Sequence, residues 1–293
     1  MIRKKLSRYE TCSWRFDFLF HSIVLLNKTL ENNKKGREKV ITDEEYTRMA
    51  KFETNHWWYK TLHYSIYKVI LDSFSKNKNI RILDAGCGTG GTQLYLKRKG
   101  YHNIYGFDIS KHAVDICKKR KLDVFQEDIR NINKRIHENS LDVIICSDIL
   151  YFLDFDEIEG VLQRFFTLLK NNGTVIINLP ALRVFRGTHD IVVGIKHRFS
   201  KRLMKALFSS TEFYIREMYY WPFLLSPFIL LVRLFQKLKM FFIKDMNITS
   251  DLRQYSDVIN SVLYGVNKME KQIFKNMRFF GSSVFVCAQK QCD

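Results

Sequence analysis

The spacing of hydrophobic residues between positions 80 and 180 predicts alternating strands and helices. Short apolar runs alternate with longer segments whose apolar residues recur at helical spacing. Because strands that alternate with helices form βαβ units, this pattern favours a doubly wound α/β fold with a mostly parallel sheet. The predicted strands lie at 80–83, 104–107, 123–125, 141–146 and 174–179, and the predicted helices at 92–99, 111–120 and 155–169.

Patterns on both sides extend this core. Thr42, followed three residues later by Glu45, forms a capping box that predicts the start of a helix running to residue 74. The first 41 residues form a basic extension, with a helix predicted at 16–30 and a turn at 32–36. Beyond Pro180 we expect a strand at 213–220, an apolar helix, a helix at 258–275 and a last strand at 283–289.

The apolar segment at 219–242 is the strongest candidate for membrane contact. Its uninterrupted apolar part ends at Val232, which is short of the roughly 20 residues that a spanning helix needs. Arg233 and the lysines after it make the segment amphipathic. We expect it to pack internally over the acceptor site. The alternative is a helix lying on an anionic membrane, with its cations facing the headgroups.

The chain carries a formal net charge of +18, from 48 Lys and Arg against 30 Asp and Glu. This balance favours an anionic partner, such as nucleic acid, anionic lipid or an acidic substrate. It is equally compatible with a Lys-rich genome that places basic residues on solvated faces.

The six cysteines form no CxxC pair and lack zinc-ligand spacing. They are therefore interpreted as free thiols of a cytoplasmic protein, and no metal site is expected.

A glycine-rich turn follows the first predicted strand, at 84–90 (DAGCGTG). Gly86, Gly88 and Gly90 suit a turn whose backbone angles exclude side chains and whose backbone lies against a ligand. The helix that follows presents unpaired N–H groups to a polar ligand. With Gly91 the turn also fits the dinucleotide fingerprint, so the turn alone does not identify the cofactor.

Three acidic residues follow successive strands and narrow the choice. Asp84 suits a cationic amino group and would repel a pyrophosphate. Asp108 ends the second strand, where a carboxylate accepts hydrogen bonds from ribose hydroxyls. Asp128 follows the third strand, where it can accept the adenine amino group while Ile129 packs on the ring. These acids, without a basic residue to bind phosphate, predict a cationic nucleoside ligand.

With these motifs, residues 80–179 resemble the class I, seven-stranded, Rossmann-like methyltransferases that use S-adenosylmethionine. The resemblance implies that the sheet ends in an antiparallel strand. It places the methionine end of the cofactor at 84–88, the ribose at Asp108, the adenine at 128–129 and the sulfonium near 147–148. The cofactor-binding residues expected are His56, Trp58, Tyr59, Asp84, Gly86, Cys87, Gly88, Gly90, Asp108, Ile109, Asp128, Ile129, Ser147 and Asp148.

Two flanking motifs are similar to those of bacterial small-molecule and glycan-type methyltransferases. Residues 56–59 (HWWY) resemble an element that lies on an N-terminal helix and covers the cofactor. His189-Asp190 with 197–199 (HRF) resembles a second element of the same group. The chain departs from many relatives at 150–152, where LYF replaces LEH, so a catalytic histidine is absent there.

The second element supplies candidate catalytic residues. A His paired with Asp can act as a general base near neutral pH, so His189, Asp190 and His197 are the catalytic candidates. The alternative is that they orient the loop by hydrogen bonds. The expected acceptor-binding residues are Tyr151, Arg183, Arg186 and Arg198, since Arg binds phosphate or carboxylate in a bidentate manner.

The motifs divide the chain into a basic extension at 1–41 and one methyltransferase domain at 42–293. The domain comprises a lid helix at 42–75, a cofactor-binding core at 80–180, an acceptor-side insertion at 181–280 and a last strand at 281–290.

The leading hypothesis is transfer of a methyl group from S-adenosylmethionine to an O or N nucleophile of a small-molecule, sugar or lipid-linked acceptor. Peripheral contact with the inner face of a membrane is a further hypothesis. Nucleic-acid methylation is less favoured, because SDIL follows the fourth strand where an Asn/Asp-Pro-Pro-aromatic motif would hold a flipped base. A non-catalytic scaffold that binds the cofactor and an NAD-linked oxidoreductase are competing hypotheses from two further functional classes.

Overall fold

The computed structural model describes residues 41–75, 77–242, 255–274 and 278–291. The helix expected at 16–30 and the turn at 32–36 lie outside these residues. Seven strands form one sheet in the order β3-β2-β1-β4-β5-β7-β6. The strands are β1 (Ile82–Ala85), β2 (Ile104–Asp108), β3 (Val124–Gln126), β4 (Leu141–Ser147), β5 (Leu169–Pro180), β6 (Phe213–Trp221) and β7 (Ser283–Lys290).

Strands β1 to β5 pair in parallel, and β7 runs antiparallel between β5 and β6. The expected doubly wound sheet with an antiparallel last strand is therefore confirmed. The α-helices of the described residues are α1 (Asp43–Phe52), α2 (Trp57–Phe74), α3 (Gly91–Arg98), α4 (Lys111–Lys119), α5 (Phe155–Leu168), α6 (Thr188–Val193), α7 (Lys201–Phe208), α8 (Ser226–Phe242) and α9 (Asp257–Ile273).

The core lies on both faces of the sheet, because alternate residues of the central strands point to opposite sides. In β4, Ile144 packs in the cluster that contains α5 and α7, whereas Ile145 packs in the cluster that contains α2 and α3. Strands buried on both faces read as continuous apolar runs, which is why β4 and β5 were identifiable from the sequence.

The prediction of a single helix at 42–74 is wrong, because the chain forms two helices, α1 and α2, with a break at 53–56. Thr42 caps α1 as predicted, accepting the Glu45 N–H. His56 then adopts an extended backbone and caps α2, its Nδ1 accepting the Trp58 N–H at 3.2 Å. A polar cap inside an apparently continuous pattern therefore starts a second helix.

Helix α8 is the apolar helix predicted from the segment at 219–242. Among the helices of the described residues, none is long and apolar enough to cross a membrane. Within the same part of the chain, no group of three or more His, Cys, Asp or Glu is arranged to hold a metal ion.

Candidate active site

An open cavity of about 1090 Å³ lies over the carboxyl ends of β1, β2 and β4. In doubly wound sheets, ligands bind at this edge, where the strand order reverses. Helices α1 and α2 form one wall of the cavity, and α6 and α8 form the opposite wall. The volume exceeds the range of about 300–1000 Å³ typical of a pocket for one ligand, so the cavity has room for two ligands side by side.

The glycine turn lines the cavity where β1 ends. Gly86 and Gly88 line it, both with positive φ. A Cβ atom on Gly86 would lie 2.3 Å from Cγ1 of Ile149, so only glycine allows the turn to approach the loop after β4. Gly90 caps α3 and faces Leu122 instead, where a Cβ would lie 2.3 Å from Cδ1. Gly90 therefore shapes the turn without lining the cavity.

Two carboxylates lie at the ends of neighbouring strands: Asp84 is buried and Asp148 is partly exposed. Asp84, in β1, lines the cavity, and its Oδ2 has no hydrogen-bond partner among the described residues. Burial, with the charges of Glu53 and Asp108, raises the pKa of Asp84 to about 7. Asp148 follows β4, and burial raises its pKa to about 7 although Asn178 donates a hydrogen bond to its Oδ2 at 3.1 Å. An unpartnered buried carboxylate stabilises a bound cation.

Asp108 ends β2 and lines the same cavity. Its Oδ1 accepts hydrogen bonds from the Tyr46 hydroxyl at 3.1 Å and from the Ser110 N–H at 2.9 Å. Its Oδ2 accepts the Gly88 N–H at 2.9 Å. The Ile109 N–H also donates to this carboxylate. Since a carboxylate offers about four acceptor positions, a ligand hydroxyl would bind Asp108 in place of one of these donors, and Tyr46 is the one side chain among them that can withdraw.

Helix α1 is tied to the glycine turn through Glu53, a contact for which the sequence shows no motif. The Thr89 hydroxyl donates to Glu53 Oε1 at 2.8 Å, and the Gly91 N–H donates to Oε2 at 3.1 Å. Arg120 forms an ion pair with Glu53 and also donates to the carbonyl oxygens of Thr89 and Ala50. We call Glu53, Arg120, Thr89 and Gly91 the α1 latch. It joins the segment after α1 to the N-terminus of α3.

The HWWY segment lies where α2 begins, and all four of its residues line the cavity. Trp58 stacks on Trp221 with ring centroids 5.3 Å apart, and the Trp57 N–H donates to Asn260 Oδ1 at 3.0 Å. Burial lowers the pKa of His56 to about 4, so its ring is neutral at pH 7. These contacts fix the segment against β6 and α9 beside the glycine turn.

Four of the expected cofactor residues do not line the cavity: Gly90, Ile109, Asp128 and Ile129. Asp128 caps the short 3₁₀-helix Ile129–Lys134 and is bound by Arg130, which turns its carboxylate to the surface. Ile129 is buried in the core, and Ile109 is 54% exposed. The structure therefore does not bring the predicted adenine contacts together with the other cofactor residues. The expected residues that do line it are His56, Trp58, Tyr59, Asp84, Gly86, Cys87, Gly88, Asp108, Ser147 and Asp148.

On the acceptor side, His189, Tyr151 and Arg198 line the cavity, whereas Arg183 and Arg186 do not. The sequence left open whether Asp190 pairs with a histidine base or orients the loop, and the structure shows its carboxylate bound by an arginine. Both of its oxygens are bound by Arg198, with Nε–Oδ1 at 2.6 Å and Nη2–Oδ2 at 3.0 Å.

Asp190 and His197 both make contacts that hold the loop after β5 in place. Burial opposes ionisation of Asp190, but the charge and hydrogen bonds of Arg198 hold its pKa below the usual value. The ring of His197 packs against Phe155 with centroids 4.4 Å apart, away from the cavity. An Asp fixed by a buried Arg positions a loop and leaves His189 as the cavity-lining member of the set.

The charged residues that line the cavity come from different elements. The carboxylates come from α1, the segment after it and the ends of β1, β2 and β4, together with two histidines, His56 and His63, whose pKa values burial lowers to about 4 and about 3. The lysine and arginines that line the cavity among the described residues come from α8 and the segment after α6, and the charge of Arg198 also acts on Asp148. The carboxylates are Glu45, Glu53, Asp84, Asp108 and Asp148, and the cations are Arg198, Arg233 and Lys239. This arrangement favours a cationic ligand on the glycine turn and an anionic group near α6 and α8.

Comparison with known proteins agrees with this geometry. A family model described as a methyltransferase domain matches residues 82–173. Phosphoethanolamine N-methyltransferase of Plasmodium falciparum is 30% identical over 115 residues, which cover 38% of this chain and 42% of that protein. Malonyl-[acyl-carrier protein] O-methyltransferase of Bacillus cytotoxicus is 25% identical over 171 residues, 56% of this chain and 54% of that protein. The chain thus spans about half the length of these curated relatives.

Solved structures share the fold at low sequence identity. Phosphoethanolamine N-methyltransferase 2 of Haemonchus contortus, in complex with S-adenosyl-L-methionine, has a TM-score of 0.55 and 15% identity. The match covers 86% of this chain and 58% of that one. A SAM-dependent methyltransferase from Archaeoglobus fulgidus has a TM-score of 0.51 and 18% identity, covering 79% and 94% of the two chains. The chain therefore shares the Rossmann-like sheet of these structures, and residues 82–173 match the methyltransferase-domain model.

Proposed function

We propose that this protein is a methyltransferase that uses S-adenosylmethionine to methylate an O or N nucleophile of a small-molecule acceptor. The observation that carries the proposal is Asp84, a buried carboxylate with an unpartnered oxygen beside the glycine turn. The family match over residues 82–173 supports the same assignment. The relatives that act on phosphoethanolamine and malonyl-[acyl-carrier protein] support a non-nucleic-acid acceptor.

The residues present fit this cofactor. Its ammonium group suits Asp84, its ribose hydroxyls suit Asp108, and its polar methionine end suits the close backbone of Gly86 and Gly88. When bound, the cofactor supplies an electrophilic methyl group on a sulfonium. The unpartnered Ser147 hydroxyl offers one further hydrogen bond at the same strand edge.

The chain's own residues would act mainly by position. Trp58, stacked on Trp221, and Tyr59 exclude water from the cofactor end. Methyl transfer needs chiefly an in-line nucleophile, so orientation of the acceptor by the α6 and α8 wall is the main contribution to the rate. His189 and Asp148 line the cavity and are the two candidates to accept a proton from the nucleophile.

The proposal is tested by calorimetric titration with S-adenosylmethionine and S-adenosylhomocysteine, with NAD as the comparison ligand. We expect both sulfur ligands to bind, and Asp84→Asn or Asp108→Ala to weaken binding of S-adenosylmethionine about tenfold or more. Asp115→Asn is the matched control, because Asp115 lies on the exposed side of α4 and pairs with Lys111. NAD binding without either sulfur ligand would contradict the proposal and favour an oxidoreductase.

Turnover separates an enzyme from a scaffold. Release of S-adenosylhomocysteine in the presence of a panel of amine, hydroxyl and carboxylate acceptors, with cofactor alone as the blank, is the expected result. Cofactor binding that is normal with every acceptor silent, nucleic acids included, would favour the non-catalytic scaffold.

A further inference from the structure

The acceptor half of the cavity has a chemical character that the methyl-transfer site does not require. Helix α8 contributes Ile229, Val232, Phe235 and Leu238 to the cavity lining. Val232, Phe235 and Leu238 are 55%, 73% and 51% exposed, although all are large apolar side chains. Apolar residues that stay exposed along one strip of a helix indicate a binding surface.

This apolar strip has a definite length. From Ile229 to Leu238 it spans nine helical steps, or about 14 Å. Val193, at the end of α6, and Ile195 add further apolar side chains to the lining of the same cavity. Such a channel fits an extended hydrocarbon chain better than a compact polar acceptor such as a phosphobase.

Cations accompany the strip. Within α8 the sequence SPFILLVRLFQKLKMFF carries Arg233, Lys237 and Lys239 and no acid. Arg233 and Lys239 line the cavity, and the Arg233 stem lies against Gly187, where a Cβ would be 2.6 Å from Cδ. Lys237 is buried, and its Nζ donates to the Val184 carbonyl at 3.3 Å. Arg233 and Lys237 thus place positive charge where α8 meets the segment that leads into α6, and Lys239 adds a cation to the cavity lining further along α8.

We propose that the acceptor is an anionic amphiphile, whose hydrocarbon chain lies along the Ile229–Leu238 strip and whose phosphate or carboxylate is bound by Arg233 and Lys239. This rests on the proposed function, because it names the substrate class of that site. The carboxylates beside the glycine turn, Asp84 and Asp108, would then bind the cationic cofactor. The opposite charge of the cations on α8 keeps each ligand in its own part of the cavity.

The test uses n-alkyl phosphates with four, eight and twelve carbons, below their micelle concentrations, in titration calorimetry. Each methylene buried on the strip improves affinity by about fourfold. We therefore expect octyl phosphate to bind at least tenfold more tightly than butyl phosphate. Equal affinities for the two would overturn the proposal.

Two variants of the same residue type locate the chain. Phe235→Ser removes a cavity-lining ring, whereas Phe228→Ser removes a ring that is 68% exposed on α8 but does not line the cavity. We expect Phe235→Ser to weaken octyl phosphate binding about tenfold and Phe228→Ser to leave it unchanged. Phe228 lies on the same face of α8 two turns earlier. Equal losses would overturn the proposal, because the ligand would then follow the exposed face of α8 beyond the cavity.

The head group is tested with Arg233→Gln. We expect this variant to weaken octyl phosphate about tenfold and leave 1-octanol unaffected, since a lost charge-assisted hydrogen bond acts on the anion alone. Co-sedimentation with anionic vesicles, without binding of monomeric alkyl phosphate, would overturn the proposal and identify α8 as a membrane surface. S-adenosylhomocysteine titrated into each preparation reports the cofactor site separately, so failure of one proposal is distinguishable from failure of the other.

Discussion

Asp84 shows how one residue can couple cofactor binding to protonation. Its carboxylate is buried, and its pKa of about 7 means that it is mostly protonated at pH 6. An ammonium group placed beside it favours the ionised form, so binding lowers its pKa and releases the proton. In the proposed function, Asp84 therefore makes the affinity for the cofactor depend on pH.

We expect S-adenosylmethionine to bind with release of up to about one proton at pH 6 and with almost none at pH 8.5. The apparent dissociation constant rises as pH falls below about 7, by up to tenfold per pH unit. Calorimetry at pH 6 in buffers of different ionisation enthalpy measures the released proton. Asp84→Asn removes most of this release and Asp115→Asn retains it; the same proton count in Asp84→Asn as in the wild type would assign the effect elsewhere.

Other contacts at this scale have no signature in the sequence. Tyr46 reaches Asp108 across 62 residues, and Thr89 reaches Glu53 across 36. Each is an ordinary residue on a helix or turn, and only the packing of α1 over the glycine turn brings the partners together. That Asp84 and Gly86 line the cavity could be predicted, because their position depends on backbone geometry next to a strand, which is local.

At the scale of elements, the parallel strands could be predicted from the sequence, whereas the side-chain contacts around α6 could not. Strands β4 and β5 are buried on both faces and therefore read as continuous apolar runs. The motif at 197–199 left two interpretations of Asp190 open, as the partner of a histidine base or as a group that orients the loop. Arg198, the residue after His197, occupies both carboxylate oxygens. Which neighbour a carboxylate binds depends on side-chain direction, which spacing along the chain does not specify.

The α1 latch is expected to contribute to the stability of the fold. Glu53→Gln removes the charge that holds Arg120 and weakens the hydrogen bonds to Thr89 and Gly91. Breaking a mostly buried ion pair leaves the partner charge uncompensated, so we expect a loss of about 2–4 kcal/mol in the free energy of unfolding. Urea denaturation measures it.

A matched control separates the loss of the latch contacts from the general effect of removing an acid in or next to α1. Glu44 is an exposed acid in the first turn of the same helix, so Glu44→Gln should cost less than about 1 kcal/mol. The α1 latch also holds α1 against the glycine turn, and both line the cavity. Glu53→Gln is therefore expected to weaken S-adenosylhomocysteine binding. Similar unfolding free energies for the two variants would show that the latch adds no stability.

At the scale of the whole molecule, buried acids and buried histidines impose opposite pH dependences on stability. Asp84 and Asp148 have folded pKa values of about 7, above the ordinary value of 3.8, so the unfolded chain loses their protons first and stability falls as pH rises between about 4 and 7. Burial depresses the folded pKa values of His56 and His63 to about 4 and about 3, below the ordinary value of 6.5. Their contribution is present above about 6.5 and is lost as pH falls.

The two effects cancel in part across pH 4.5 to 6.5, and variants that remove one set should reveal the other. For Asp84→Asn with Asp148→Asn, we expect the free energy of unfolding to increase by a few kcal/mol from pH 4.5 to 6.5, because the histidine contribution remains. For His56→Asn with His63→Asn, it should decrease over the same range, and the wild type should lie between. Urea denaturation at each pH, without cofactor, gives the three slopes. Parallel slopes would mean that these four groups titrate alike in the folded and unfolded chain, which would contradict the raised pKa values of Asp84 and Asp148 and the lowered pKa values of His56 and His63.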